Sequence, residues 1–240
     1  MTARISKVAR ACGLTGSGSG YMRVARLAFL NRVNDMRKLI MWNLMTLDGF
    51  FEGPKSWEID WHDTVWGEEM ERYAIEQSKS TGALLFGRVT YEGMASYWPT
   101  QKGEIADFMN TIPKVVFSRT LKKADWNNTT LVKENTVEQV VKLKRQPGKN
   151  LFVFGSADLS SMLLKHGLFD ELDLAVAPLL LGRGNPLFKT SPDRLKMKLL
   201  GARPLKSGGV ILRYQPERPT EASLRPRASK KPKSRTRDAR

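Results

Sequence analysis

The stretch LLFGRVTYEGM, Leu84 to Met94, decides the reading of the chain. Its first residues form an apolar run of strand length, and the rest carries helical spacing. Gly87 and Arg88 stand at the junction, with Thr90 just beyond. A strand that becomes a helix through a glycine leaves free backbone N–H groups and a positive dipole end at the turn. Arginine beside such a turn adds a rigid fork of donors that matches phosphate oxygens. An ordinary solvated charge is the plainer alternative.

Working outward, apolar runs alternate with helical patterns. Strands are expected at Leu39–Met45, Ala83–Phe86, Lys114–Phe117, Thr129–Val132, Leu151–Phe154 and Leu172–Pro178. Helices are expected at Thr64–Lys79, Val89–Tyr97, Thr136–Arg145 and Ala157–His166. In the first of these, Trp66, Met70, Tyr73, Ala74 and Gln77 share one face. Trp98-Pro99 should stop the second. Asn135 with Glu138 three residues later reads as a capping box for the third. Met197–Pro204 and Val210–Tyr214 flank Ser207-Gly208-Gly209, a hairpin signal. Strand–helix alternation implies an α/β domain with a mostly parallel sheet covered by helices on both faces. The closing hairpin adds antiparallel strands at one edge, so the sheet should be mixed. There is no internal repeat and no sign of a second core.

The chain has 240 residues and a formal net charge of +16. That charge is unevenly placed. Residues 1–36 carry six Lys/Arg against one acid, and residues 217–240 carry nine against three. The part between holds 25 bases and 20 acids. A single folded domain is therefore expected over 37–216, with a leader over 1–36 and a basic disordered tail over 217–240. RPTEASLRPRASKKPKSRTRDAR, 218–240, has too few apolar residues to offset its ordering entropy. Such a tail can make weak nonspecific contacts with nucleic acid, or simply keep the chain soluble. In the leader, the apolar run VARLAFL is arginine-interrupted and too short to span a membrane. The leader resembles an arginine-rich transit peptide, or results from an upstream start codon, since Met36 opens the first strand. The single cysteine, Cys12, excludes a disulfide framework and a thiolate metal site. A cytoplasmic location, without membrane association, is the expectation.

In sheets of this kind, ligands bind where strand carboxyl ends turn into helices. Three junctions have suitable chemistry: Gly87-Arg88-Val89-Thr90, Phe117-Ser118-Arg119-Thr120 and Phe154-Gly155-Ser156-Ala157. The common nucleotide motifs G-x-G-x-x-G and G-x-x-x-x-G-K-[ST] are both missing. Arginines at two strand ends would suit an adenosine 2′-phosphate, the group that separates NADP from NAD.

Five blocks carry a resemblance: TLDGFFEGP (46–54), LLFGRVTYEGM (84–94), VVFSRTL (115–121), LFVFGSADL (151–159) and APLLLGRGNPLF (177–188). Their order and spacing resemble the dihydrofolate reductase-like family. The branch is similar to the reductase domain of the bifunctional riboflavin-biosynthesis deaminase–reductase. The resemblance implies a dihydrofolate-reductase-like fold, NADPH as cofactor and reduction of a small heterocycle. It gives Gly87, Arg88 and Thr90 to phosphates and Ser118 and Arg119 to the adenosine end. Gly155, Ser156 and Ala157 would receive the pyrophosphate, although Ser156 stands where such folds usually carry a second glycine. The resemblance also leaves a homodimer open.

Catalytic groups are less clear. Asp48, in the loop after the first strand, either orients substrate or caps the turn with Gly49. Glu71, with Glu68 and Glu69 beside it, stands near the position where pterin reductases of this family carry a carboxylate on the first long helix. Trp57, Trp61 and Trp66, with Phe50 and Phe51, either stack on a flat heterocycle or close a hydrophobic lid. The deaminase zinc signature is missing, and the two histidines, His62 and His166, stand apart. His166 reads as a cap on a helix C-terminus. Two rival readings remain: a nucleic-acid-binding protein acting through its basic ends, and a nucleotide-binding relative without catalysis.

Overall fold

Strand β1 (Leu39–Thr46) is the centre from which the architecture is built, and six of its eight residues are buried. Such burial on both faces matches its nearly continuous apolar sequence. The structure, a computed structural model, describes residues 36–189 and 194–217. The expected leader and basic tail lie outside the described residues, apart from Met36 and Glu217 at their borders.

After β1 come β2 (Phe50–Glu52), a 3-10 turn at Asp60–Thr64 and helix α1 (Glu68–Ser78). Next are β3 (Thr81–Gly87), α2 (Arg88–Tyr97), α3 (Glu104–Thr111), β4 (Lys114–Phe117) and β5 (Thr129–Val132). The chain continues through α4 (Thr136–Lys144), β6 (Asn150–Phe154), α5 (Ala157–Lys165), β7 (Glu171–Ala177) and the short β8 (Asn185–Pro186). β9 (Met197–Pro204) and β10 (Val210–Pro216) close it.

Eight strands form one sheet in the order β5-β4-β3-β6-β1-β7-β10-β9. Neighbours from β5 to β7 are parallel; β10 runs antiparallel to both β7 and β9. The sheet is mixed and mostly parallel, with the expected hairpin at its edge. Leu205 and Gly209 pair across the turn, and Gly208 takes φ +87, a left-handed value that suits glycine. β2 and β8 make a separate small ribbon.

Helices cover both faces. α4 and α5 pack Val140, Leu159 and Leu163 against Leu39, Met41, Leu85 and Val153. On the other face, α2 and α3 bring Tyr91 and Met109 to Phe86, Val116 and Phe152. α1 brings Met70 and Tyr73 to Leu44, Ala175 and Ile211. Phe86 and Phe152 are wholly buried. Truncating either to alanine should cost about 3–5 kcal/mol.

Three local expectations need correction. The expected helix over 64–79 is divided: Gly67, fully extended, separates the 3-10 turn from α1. Asn135 does not form a capping box; it takes φ +54, with no side-chain bond to the helix. Asparagine tolerates that left-handed conformation, and here the turn geometry outweighs the cap. α3 lies in a segment with no assigned expectation, although Ile105, Ala106, Phe108 and Met109 have helical spacing.

Candidate cofactor site

The carboxyl ends of β5, β4, β3 and β6, four adjacent parallel strands, open into one cleft of ≈ 970 Å³. Gly87, Phe117 and Val132 form a single register row across β3, β4 and β5. Arg88, Ser118 and Lys133 each stand one residue beyond that row, and all three line the cleft with Arg119. Parallel pairing thus brings cations far apart in sequence within a few strand spacings of one another.

At the β3–α2 junction, Gly87 is extended and caps α2 without a side-chain bond. The first N–H groups of α2, beginning at Arg88, therefore have no intrahelical acceptor. Arg88 lines the cleft while its Nη1 bonds Glu92 Oε2 at 2.8 Å, one turn along the helix. Both side chains are nearly half exposed, so a ligand anion displaces that pair at little cost. Thr90 is buried, and its Oγ1 accepts the Ser156 N–H at 2.8 Å. Its oxygen therefore braces the neighbouring turn as well as bordering the cleft.

The β6–α5 junction departs from a simple glycine turn. Gly155 takes φ +60, and a Cβ there would lie 2.8 Å from Thr90 Cγ2 and 3.0 Å from Phe51 Cζ. Only glycine meets both demands. Its N–H donates to Asn43 Oδ1 at 2.6 Å, in the floor of the sheet. Since the Ser156 N–H is also engaged, two backbone donors expected for a pyrophosphate are used internally. Ala157 and Asp158, the first residues of α5, line the cleft and carry N–H groups without intrahelical acceptors.

At the end of β4, Ser118 Oγ accepts the N–H groups of Thr120 and Leu121 at 3.2 and 3.0 Å. This serine turn leaves Arg119 at its bend. Among the described residues, no hydrogen bond or ion pair engages Arg119 or Lys133.

The far end of the cleft is formed by Phe51, Glu52, Trp57 and Asn185. Glu52 Oε2 accepts the Trp57 N–H at 2.8 Å, and Oε1 accepts the Asn185 amide at 3.0 Å. Trp57 takes φ +67, an uncommon value for a bulky residue. Its ring rests on α2 where the chain has Gly93; a Cβ there would come within 2.5 Å of the indole. Trp61 instead belongs to the core beneath α1, and Trp66 is partly exposed outside the cleft.

The two expected acids are placed elsewhere. Asp48 Oδ1 accepts the Thr46 hydroxyl at 2.5 Å, and Oδ2 accepts the Gly182 N–H at 2.8 Å. The Thr46 hydroxyl, opposed by some desolvation and helped by the Gly182 and Leu181 amides, holds its carboxyl below the usual range. Asp48 thus fastens the loop after β7 to the β1–β2 turn and does not line the cleft. Glu71 is exposed on the first turn of α1, because Met70 and Tyr73 form the buried face of that helix. Glu69 accepts the Lys206 N–H at 2.6 Å and Glu68 faces Arg72, so none of the three α1 acids borders the cleft. Sequence reasoning missed Lys133 and Glu52. Lys133 follows a strand end as Arg88 and Ser118 do, and Glu52 is the acid inside TLDGFFEGP.

Among the described residues, no group of three or more His, Cys, Asp or Glu could hold a metal ion. No helix among them is long and apolar enough to cross a membrane. His166 caps α5, with Nδ1 2.8 Å from Met162 O.

The family described as the RibD C-terminal domain matches residues 37–211. The chain belongs to that family. The uncharacterised protein YyaP of Bacillus subtilis (strain 168) is 34% identical over 184 residues, covering 74% of this chain and 94% of YyaP. The fold is also similar to a Shewanella sp. PV-4 protein assigned to riboflavin biosynthesis, with TM-score 0.64 and 22% identity. That likeness covers 75% of this chain and 99% of the other. A dihydrofolate reductase from Enterococcus faecalis, complexed with NADP(H), has TM-score 0.52 and 11% identity, covering 75% of this chain and 97% of that one. These matches make the RibD-type domain dihydrofolate-reductase-like in fold.

Proposed function

We propose that this RibD-type domain is an NADPH-dependent reductase of a small, flat heterocyclic substrate. The observation that carries the reading is the convergence of two helix N-termini and the cations Arg88, Arg119 and Lys133 in one cleft with an aromatic end. Helix starts with unpaired N–H groups are suited to phosphates. Close contacts at Gly87 and Gly155 leave no room for side chains, which keeps backbone at the cleft wall. The residues present therefore fit a phosphorylated dinucleotide.

In this reading, the N–H groups of Ala157 and Asp158 hold the pyrophosphate. Arg88 selects the 2′-phosphate, with Arg119 and Lys133 adding positive potential and Ser118 bordering the adenosine end. Phe51 and Trp57 flank the reacting end and exclude water, while Glu52 fixes the backbone that carries Trp57. The cofactor supplies the hydride; the chain contributes position and a shaped, dry acceptor pocket. The resemblance of the blocks to riboflavin-pathway reductases favours a pyrimidine-like or pterin-like substrate.

The test is a screen of pyrimidine and pterin substrates that follows NADPH oxidation, repeated with Arg88→Ala. Arg88→Ala should weaken NADPH by about 2 kcal/mol, roughly thirty-fold, through loss of a charge-assisted contact, and leave NADH little changed. Equal losses for both cofactors would refute the 2′-phosphate role. A second reading, cofactor binding without turnover, draws on the position of Asp48 and Glu71 outside the cleft. Tight NADPH binding with no oxidation across the screen would favour it.

A further inference from the structure

β3 and β6 are paired neighbours, and each ends in a turn that opens a helix. Two hydrogen bonds cross between those turns in opposite directions. Gly87 N–H donates to Ser156 Oγ at 2.6 Å, and Ser156 N–H donates to Thr90 Oγ1 at 2.8 Å. Ser156 reaches both with φ +58 and ψ +63, a left-handed conformation that serine seldom adopts. Such a conformation persists only where its surroundings over-determine it, and it marks sites where the strain serves function. Glycine would sit there without strain, so the hydroxyl is the property that distinguishes this choice.

The hydroxyl does not cap its own helix α5. Its oxygen accepts from Gly87, and no acceptor among the described residues takes its proton. Ser156 is only 9% exposed, yet it lines the cleft between the two helix starts. A Cβ on Gly87 would lie 3.2 Å from Ser156 Oγ, so the two turns already touch. An anion bridging the helix starts would receive a proton from a hydroxyl polarised by the Gly87 amide behind it, and such chains strengthen one another.

We infer that Ser156 is a positioning residue of the anion subsite, its hydroxyl clasping the two turns and donating to the diphosphate of the dinucleotide. The inference rests on the NADPH-reductase reading. Because NADPH and NADH share the diphosphate, Ser156 acts on both alike, unlike Arg88. Since the glycine N–H contacts are spent inside the protein, the hydroxyl replaces a backbone donor.

The test measures NADPH and NADH binding to the full chain as wild type, Ser156→Gly and Thr90→Val, with thermal unfolding and amide exchange alongside. Ser156→Gly relieves the left-handed strain while deleting the hydroxyl, so its melting temperature should stay level or rise. Its affinity for both cofactors should fall in parallel, roughly ten-fold, the loss of one donor to an anion. The Gly87 amide should exchange faster, with Leu85 unchanged. Thr90→Val cuts the other bond of the clasp and should also weaken both cofactors together, so the inference stays exposed if one variant fails to fold. A Ser156→Gly protein that binds both cofactors like wild type, or loses NADPH alone, would overturn the inference and leave the reductase reading standing. A wild-type chain that binds neither cofactor would overturn both.

Discussion

His62 shows how burial sets a single residue's behaviour. It lies in the 3-10 turn before α1, edge-on to Trp61 at 4.4 Å, and its Nε2 has no partner. Burial lowers its pKa to about 4, against opposing pulls from Asp63 and Asp60. The unfolded chain would titrate near 6.5, so below that pH the unfolded state binds the extra proton. The stability from a neutral His62 is therefore intact above about pH 6.5 and lost as pH falls toward 4. At 1.36 kcal/mol per unit, the loss amounts to roughly 3 kcal/mol. Urea midpoints measured from pH 7 to 4 should fall steeply in the wild type and less steeply in His62→Phe. Equal slopes would show that another group governs acid sensitivity. Asp48 makes a complementary point at the same scale. Its carboxylate ties two loops together, and Asp48→Asn should loosen the 181–182 loop, seen as faster exchange of the Gly182 amide, with cofactor binding largely kept.

At the scale of elements, the buried end of α3 offers a further check. Lys114, at the start of β4, is 1% exposed and donates to Met109 O and Ile112 O, each at 2.7 Å. Its ammonium also sits 4.4 Å from the Trp126 ring centre. Lys114→Met keeps the bulk but strands two carbonyls, and should cost about 2–3 kcal/mol in chemical unfolding. A loss below 0.5 kcal/mol, the ordinary size for surface changes, would contradict this account. The parallel strands were legible in the sequence because burial on both faces demands continuous apolar runs, as in LIMWNLMT and TGALLFG. The hairpin was legible through Ser207-Gly208-Gly209. Other features were not, because they depend on partners distant in sequence. The rotation of α1 is set by Met70 and Tyr73 against the sheet, and that turns Glu71 outward. The conformation of Ser156 opposes its intrinsic preference and follows from Gly87 and Thr90, more than sixty residues away. Lys133 acquires its place only when β5 is set beside β4.

For the whole molecule, charge and cleft are separate matters. Most of the +16 excess lies in the two ends, whereas 37–216 carries 25 bases and 20 acids. Any nonspecific binding to nucleic acid should therefore weaken steeply with salt and largely vanish on removal of 218–240. If it persisted unchanged, the folded domain would itself be the nucleic-acid surface. The cleft concentrates its own smaller set of cations at four strand ends, over the face where α2 and α5 begin. The central claim is that this arrangement binds a dinucleotide and distinguishes its 2′-phosphate. The most direct measurement is a nicotinamide-fluorescence titration of the full wild-type chain with NADPH and with NADH. The account predicts saturable NADPH binding, with NADH weaker by at least roughly ten-fold, the worth of one charge-assisted contact. No saturation with NADPH, or equal affinity for the two cofactors, would contradict it.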